Sequence, residues 1–499
     1  ALAAREWLSG HIPWWDSYSG MGLPLAAEMQ SSALFFPFIL LMHFSNVVLY
    51  LKIAMQVMTG VAMFGLFREM KASHEAATFG AILGELSGTL AWFAHGPIMP
   101  LPFLPLFLWG SFRCCEVGAW KRLSGFLLVS LALAGSILAG FPETAYMNGL
   151  LVLLVSIWRV ATLGRNWWRS ALLICGGGLT GIALSAPAWI PFVDLLSVGF
   201  LGQNQNYHDA HMLAANWGMT LFPYLFGPPL YATSVGIPEI VDLWWHTGGY
   251  CDVGLLFLAI VGVVYSFYNK ENKIPKFRGL RFVLSGYIFV TILKAVGFLP
   301  ASHLLDIIPG IKQTMFYVYI SPGWWCALCI LSVLTFDDLL VMSPKSRYRS
   351  LCIATGCVFT FALAALFRSH HHIAIMLNHP GYIWYPLISI FWGVFVVYFI
   401  GVGIRKASRM MVATVAIFNS ALLFFFPTLT GVRADHPDTQ ALAFMRKITH
   451  DHRLLSVSAC SPNYGAFYGI PTIDYTYLPL PEGFASALDQ HICPGYDHT

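Results

Sequence analysis

Residues 382–404 read YIWYPLISIFWGVFVVYFIGVGI, 23 residues without a charged side chain, and Arg405, Lys406 and Arg409 follow at once. A helix of that length rises about 35 Å, enough to cross a hydrocarbon core of roughly 30 Å. The basic cluster then marks the end that stays at the cytoplasmic surface. Outward from this stretch the pattern repeats. Apolar runs at 47–67, 76–93, 97–113, 123–140, 142–160, 170–192, 249–268, 282–299, 316–336, 350–367, 382–404 and 410–428 predict an all-α polytopic membrane protein with about twelve transmembrane helices.

Lys and Arg alternate between the ends of these runs. One set of connections holds Arg68 and Lys71; Arg113, Lys121 and Arg122; Arg159, Arg165 and Arg169; Lys270, Lys273, Lys276, Arg278 and Arg281; Lys345, Arg347 and Arg349; and Arg405, Lys406 and Arg409. That is 19 of the 28 basic residues, so these connections are expected to be cytoplasmic. The opposite connections then face outward, and the longest, 193–248, has no Lys or Arg. Residues 1–46 become an outer loop, 47–428 the membrane domain, and 429–499 the start of a small outer α/β domain. Ser32–Phe44 is apolar but too short to cross, which predicts a juxtamembrane or re-entrant helix. The chain opens at Ala1 without a signal peptide and reads as a fragment with a helix expected upstream.

Composition agrees. Of 499 residues, 57% are apolar and 10% charged, and the mean hydropathy is +0.66, which excludes a soluble enzyme and a disordered chain. A formal charge of +4 gives no reason to expect nucleic acid. The ten cysteines lie mostly inside apolar runs, and Cys326 and Cys329 fall within one helical stretch, so a metal framework is not indicated. Gly80, Gly84 and Gly88 have the spacing that lets helices approach closely. Consecutive His370, His371 and His372 do not converge on one ion, and His450 and His452 are no stronger; P-loop, dinucleotide and HExxH patterns are missing.

The candidate chemistry lies in polar residues near the outward ends of the spans. Asp16, Glu28 and Glu143 each sit in aromatic, Gly, Pro or apolar context, where a carboxyl can act as a general base. Glu143, after Pro142, equally suits the first turn of a helix as a dipole partner. Glu85, midway through its span, reads as paired with a neighbouring helix. Lys52, Lys294, Lys312 and Arg368 oppose the positive-inside trend. Each can snorkel to lipid, and as a set they can bind the phosphate of a lipid-linked donor. Trp14, Gln30, Trp245, His246 and Tyr250 are candidate substrate contacts, the aromatic rings by stacking on sugar.

Gly10-His11-Ile12-Pro13-Trp14-Trp15-Asp16, Gly20-Met21-Gly22-Leu23-Pro24-Leu25-Ala26 and the run from Gln30 to Phe36-Pro37 resemble the YfhO family of bacterial membrane proteins. Gly140-Phe141-Pro142-Glu143, Gly248-Gly249-Tyr250 with Gly254, and Arg453 with Pro462-Asn463 and Gly469-Ile470-Pro471 are similar to further stretches of that family. The family pattern has Asn where this chain has Asp16, and His and Gln where it has Phe141 and Glu143. The family is similar to GT-C glycosyltransferases, which move a sugar from a polyprenyl-phosphate donor to an acceptor outside the membrane. The resemblance implies a GT-C-like fold in the bacterial inner membrane, an outward active site, an acid in the first outer loop and inversion at the sugar. Its expected partners are the lipid-linked donor, membrane lipids and a cell-envelope glycan or other outer acceptor. A divalent metal, Mg or Mn, is the one cofactor it leaves open. The rival class is a transporter or flippase of lipid-linked saccharide, which would show internal repeats or paired broken helices.

Overall fold

The computed structural model describes residues 2–42, 44, 47–86, 90, 95–200, 211–227, 252–268, 277–379, 381–430, 438–449, 452–455, 464–473 and 480–491. Helices occupy all twelve apolar stretches, but their lengths differ from the expectation. Among the described residues, seven helices are long and apolar enough to cross a membrane, or nine if each of two bent pairs is one span. His74–Glu85 and Phe103–Cys114 have 12 residues each and Val253–Tyr268 has 16, short of the roughly 20 a span needs. Prolines explain one of these: Pro97, Pro100 and Pro102 delay the start of the Phe103 helix, because proline lacks the N–H a helix interior requires. The 170–192 run bends by 70° between Trp167–Leu184 and Ala186–Ser197, next to Pro187. The 282–299 run bends by 111° at Gly297, whose φ of 80° only glycine adopts freely.

Helix Ser321–Asp338 is the axis of the bundle. In the span Phe316–Asp338, 94% of the apolar window is buried, against 22% in Pro344–Arg368 and 28% in Trp384–Arg405, which therefore form the rim. The axis packs on Val253–Tyr268 and on His74–Glu85. Small residues set the spacing: a Cβ on Gly80 would lie 2.2 Å from the Phe67 ring, and one on Gly60 would lie 2.1 Å from Glu85 Oε1. Glu85 thus fills the gap opposite Gly60 on Val47–Glu69.

At the Lys/Arg-rich end, carboxylates collect much of the charge. Glu69 accepts from Arg113 at 3.2 Å and Lys121 at 3.3 Å, and Glu116 pairs with Arg159 at 3.5 Å. Arg409 bridges Glu75 at 2.8 Å and Asp337 at 3.4 Å. Arg281, in the first turn of Arg278–Ala295, is fully buried and donates to Asp338 at 2.6 Å.

The N-terminal loop and the tail form one layer rather than two separate pieces. Thr472 donates its N–H to Tyr18 O at 2.7 Å, Arg453 Nη2 donates to Ser17 O at 3.0 Å, and the ring of Phe484 lies against Gly20. Strand content in the tail is slight among the described residues: Leu480–Pro481 pairs antiparallel with Gly199–Phe200, and Thr472 bridges Ser19 and Leu454. Helices Thr439–Ile448, Tyr464–Tyr468 and Glu482–His491 make up most of the rest of the described tail. The expected juxtamembrane helix is Phe36–Leu41, six residues with Phe36 and Leu40 exposed.

Candidate functional site

Two turns meet at the end of the bundle opposite the Glu69 network. Helices Ala119–Leu138 and Pro142–Ala161 each run 20 residues, about 30 Å, from Lys121 and Arg159 at the basic end to a tight turn at 139–141. Gly140 makes that turn at φ 87°, and its missing side chain leaves room for the backbone of Met29 and Ser32. Ser32 Oγ donates to Ala139 O at 2.8 Å. The short helical turn Met29–Ser31 is thereby held on the membrane bundle, and Glu28 lies at its start.

Glu28 is 2% exposed, and neither of its carboxyl oxygens has a hydrogen bond of ordinary geometry among the described residues. Burial pushes its pKa up to about 8, against the pull of the Ser31 and Gln30 N–H groups, and the nearby Asp16 adds to the rise. At neutral pH the acid is mostly protonated yet able to ionise. Asp16 is differently placed. Its Oδ1 accepts the Tyr18 N–H at 2.7 Å and its Oδ2 accepts the Ser19 hydroxyl at 2.8 Å, while its backbone pairs with Leu23. That carboxyl closes the loop, as Asp does in turns, and the freer of the two acids is Glu28.

Glu143 stands in the first turn of its helix, near the Met315 N–H, with Oε2 buried and unpartnered among the described residues. One turn along, Tyr146 donates its hydroxyl to Pro309 O. Thr144 and Asn148, buried one turn apart on one face, carry unpartnered Oγ1 and Oδ1 atoms among the described residues. Their i, i+4 spacing in an apolar helix is the sequence signal that sets them apart.

The four cations have different surroundings. Lys294 donates to Asp306 at 2.6 Å and lies over the Phe316 ring, buried. Arg368 lies over the Trp217 ring, 5.5 Å from its centroid, and is exposed. Lys312, in the turn Ile311–Gln313, is exposed, and Lys52 is partly exposed on Val47–Glu69. Of the substrate candidates, Trp14 is 52% exposed beside Asp16 and Gln30 is exposed beside Glu28. Trp245, His246 and Tyr250 lie outside the described residues.

A divalent metal fits this donor set poorly. Among the described residues no three His, Cys, Asp or Glu side chains converge, both Asp16 oxygens are occupied, and Glu28 is held mainly in its neutral form.

No family model and no curated protein matches the chain. Among solved structures, ArnT from Cupriavidus metallidurans bound to undecaprenyl phosphate is similar at 14% identity and a TM-score of 0.45, over 94% of this chain and 79% of that one. The same protein in the apo state is similar at 13% identity and a TM-score of 0.45, over 94% and 83%.

Proposed function

We propose that this chain is a membrane glycosyltransferase that moves a sugar from a polyprenyl-phosphate donor to an acceptor at the outer face. The observation that carries the reading is Glu28: a buried acid at about pKa 8 with no side-chain partner among the described residues, on a turn fixed to the bundle at the Lys/Arg-poor end. A general base works best with a pKa near the operating pH. In its ionised form Glu28 takes the proton of the acceptor hydroxyl as that oxygen attacks the anomeric carbon. The bond from that carbon to the phosphate oxygen breaks, the electron pair leaves with polyprenyl phosphate, and the sugar inverts. Exposed Lys312 and Arg368, at the same end, are the cations free to meet the leaving phosphate, and Trp14 offers a ring for the sugar. The YfhO resemblance of residues 10–37 supports the same outer loop.

The topology that goes with this is twelve crossings in the bacterial inner membrane, with 74–85, 103–114 and 253–268 as short members and the basic end in the cytoplasm. A lipid-linked saccharide transporter is the second reading, favoured by the two bent helix pairs. Purified protein in liposomes, given a radiolabelled polyprenyl-phosphate sugar and an acceptor, tests the choice: release of polyprenyl phosphate that Glu28→Gln abolishes supports the transferase.

A further inference from the structure

A groove of about 700 Å³ that shares no lining residue with the Glu28 turn runs between the rim helices Pro344–Arg368 and Trp384–Arg405. Val253 and Phe257 form its floor, Leu351 and Val358 one wall, and Val397 and Gly401 the other. Along Pro344–Arg368 it extends from Tyr348 to Ala362, and along the partner helix from Arg405 back to Gly393. At 1.5 Å per residue that is about 20 Å, enough for the acyl chain of a single leaflet, which spans about half of the 30 Å core. The lining is almost wholly apolar, and its one charged member among the described residues, Arg405, is at the Lys/Arg-rich end.

At this end the described lining of the groove includes no carboxylate. Arg405 has no carboxylate partner among the described residues, and Lys406 follows it, exposed. Arg347 crosses from the neighbouring helix to donate Nη1 to Arg405 O at 3.2 Å, and its Nε is buried with no hydrogen-bond partner among the described residues. Arg405, which lines the groove, is the guanidinium a lipid phosphate would meet there.

We infer that this groove binds an anionic glycerophospholipid, one acyl chain lying along it and the phosphate at Arg405 and Arg347. The anionic class follows from several cations with no acid between them; a zwitterionic head group would bring a positive charge among them. This site shares no residue with the Glu28 turn and does not depend on the transferase reading.

The test uses the whole purified chain in nanodiscs, with spin-labelled phosphatidylglycerol and phosphatidylcholine as probes. The immobilised fraction is expected to favour phosphatidylglycerol, and Arg405→Gln should reduce that preference about fivefold, with Arg405→Lys restoring part of it. Gly401→Leu should displace the chain while the protein keeps its fold, because the atoms nearest a new Cβ, on Leu351 and Phe257, are 3.9 Å away. If Gly401→Leu does not fold, Ala362→Leu fills the same groove from the other wall. Equal immobilisation of both lipids, an Arg405→Gln variant that binds like the parent, or displacement of phosphatidylglycerol by polyprenyl phosphate would each overturn the assignment.

Discussion

Lys294 and Asp306 close a buried ion pair across the 111° bend between Arg278–Ala295 and Leu299–Leu305, Nζ donating to Oδ1 at 2.6 Å. The cation that sequence suggested for a donor phosphate is thus engaged in holding a broken helix. Removing one member of such a pair leaves the other charge buried and uncompensated, which costs about 3–5 kcal/mol.

Lys294→Gln and Asp306→Asn should therefore each lower the unfolding temperature in detergent, and the double variant should recover most of the loss. A Lys294→Gln protein as stable as the parent but weaker in donor binding would instead return Lys294 to the phosphate site.

Glu28 links pH to stability with a definite sign. Its folded pKa, about 8, is above the ordinary value of 4.5, so between those limits the folded state binds more protons than the unfolded one. Its contribution is fully present below about pH 4.5 and is lost as pH rises through 8, by a few kcal/mol in order of magnitude. Glu28→Gln cannot ionise and should flatten that slope. Melting curves at pH 5 and 8.5 for both proteins check this; parallel losses would place the titrating group elsewhere. Activity should move the other way and rise towards pH 8 as the base form appears.

Glycine substitutions measure how closely the helices meet. A Cβ on Gly80 meets Phe67 at 2.2 Å and Val333 at 2.8 Å, whereas one on Gly84 meets Met63 at 3.1 Å. Gly80→Leu should reduce folded yield more than Gly84→Leu, as size-exclusion recovery would show. The reverse order would mean that the Met63 side is the less yielding one.

Hydropathy made the helical stretches legible because apolar runs must be buried or face lipid whatever their partners are. Their lengths were less legible. Whether 170–192 continues straight or bends at Ser185 depends on what packs beside it, and the 282–299 run showed only Gly297 as a hint. Pairings across the fold, such as Arg281 with Asp338, leave no trace in local spacing. In the candidate site, Asp16 followed by Ser19 is an ordinary turn pattern that could have removed Asp16 from the front rank. Glu28, between Ala26-Ala27 and Met29, had the apolar flank that predicts a raised pKa, but its contact with the Ala139–Gly140 turn could be known only from the fold.

The two acids of the outer loop separate chemistry from support, and with it transferase from transporter. Asp16→Asn keeps one acceptor for the Tyr18 N–H and loses the other to the Ser19 hydroxyl, so it should loosen the loop and lower activity only partly. Glu28→Gln removes the proton acceptor and should abolish release of polyprenyl phosphate while donor binding persists, because the donor is held by its lipid and phosphate rather than by the base. A transporter gives a different pattern: intact donor crosses the liposome membrane, no free polyprenyl phosphate forms, and Glu28→Gln changes the crossing rate or its proton dependence. Full transfer activity in Glu28→Gln would reject this base. Donor crossing without transfer under any condition would reject the enzyme and leave the bent helices as the moving parts.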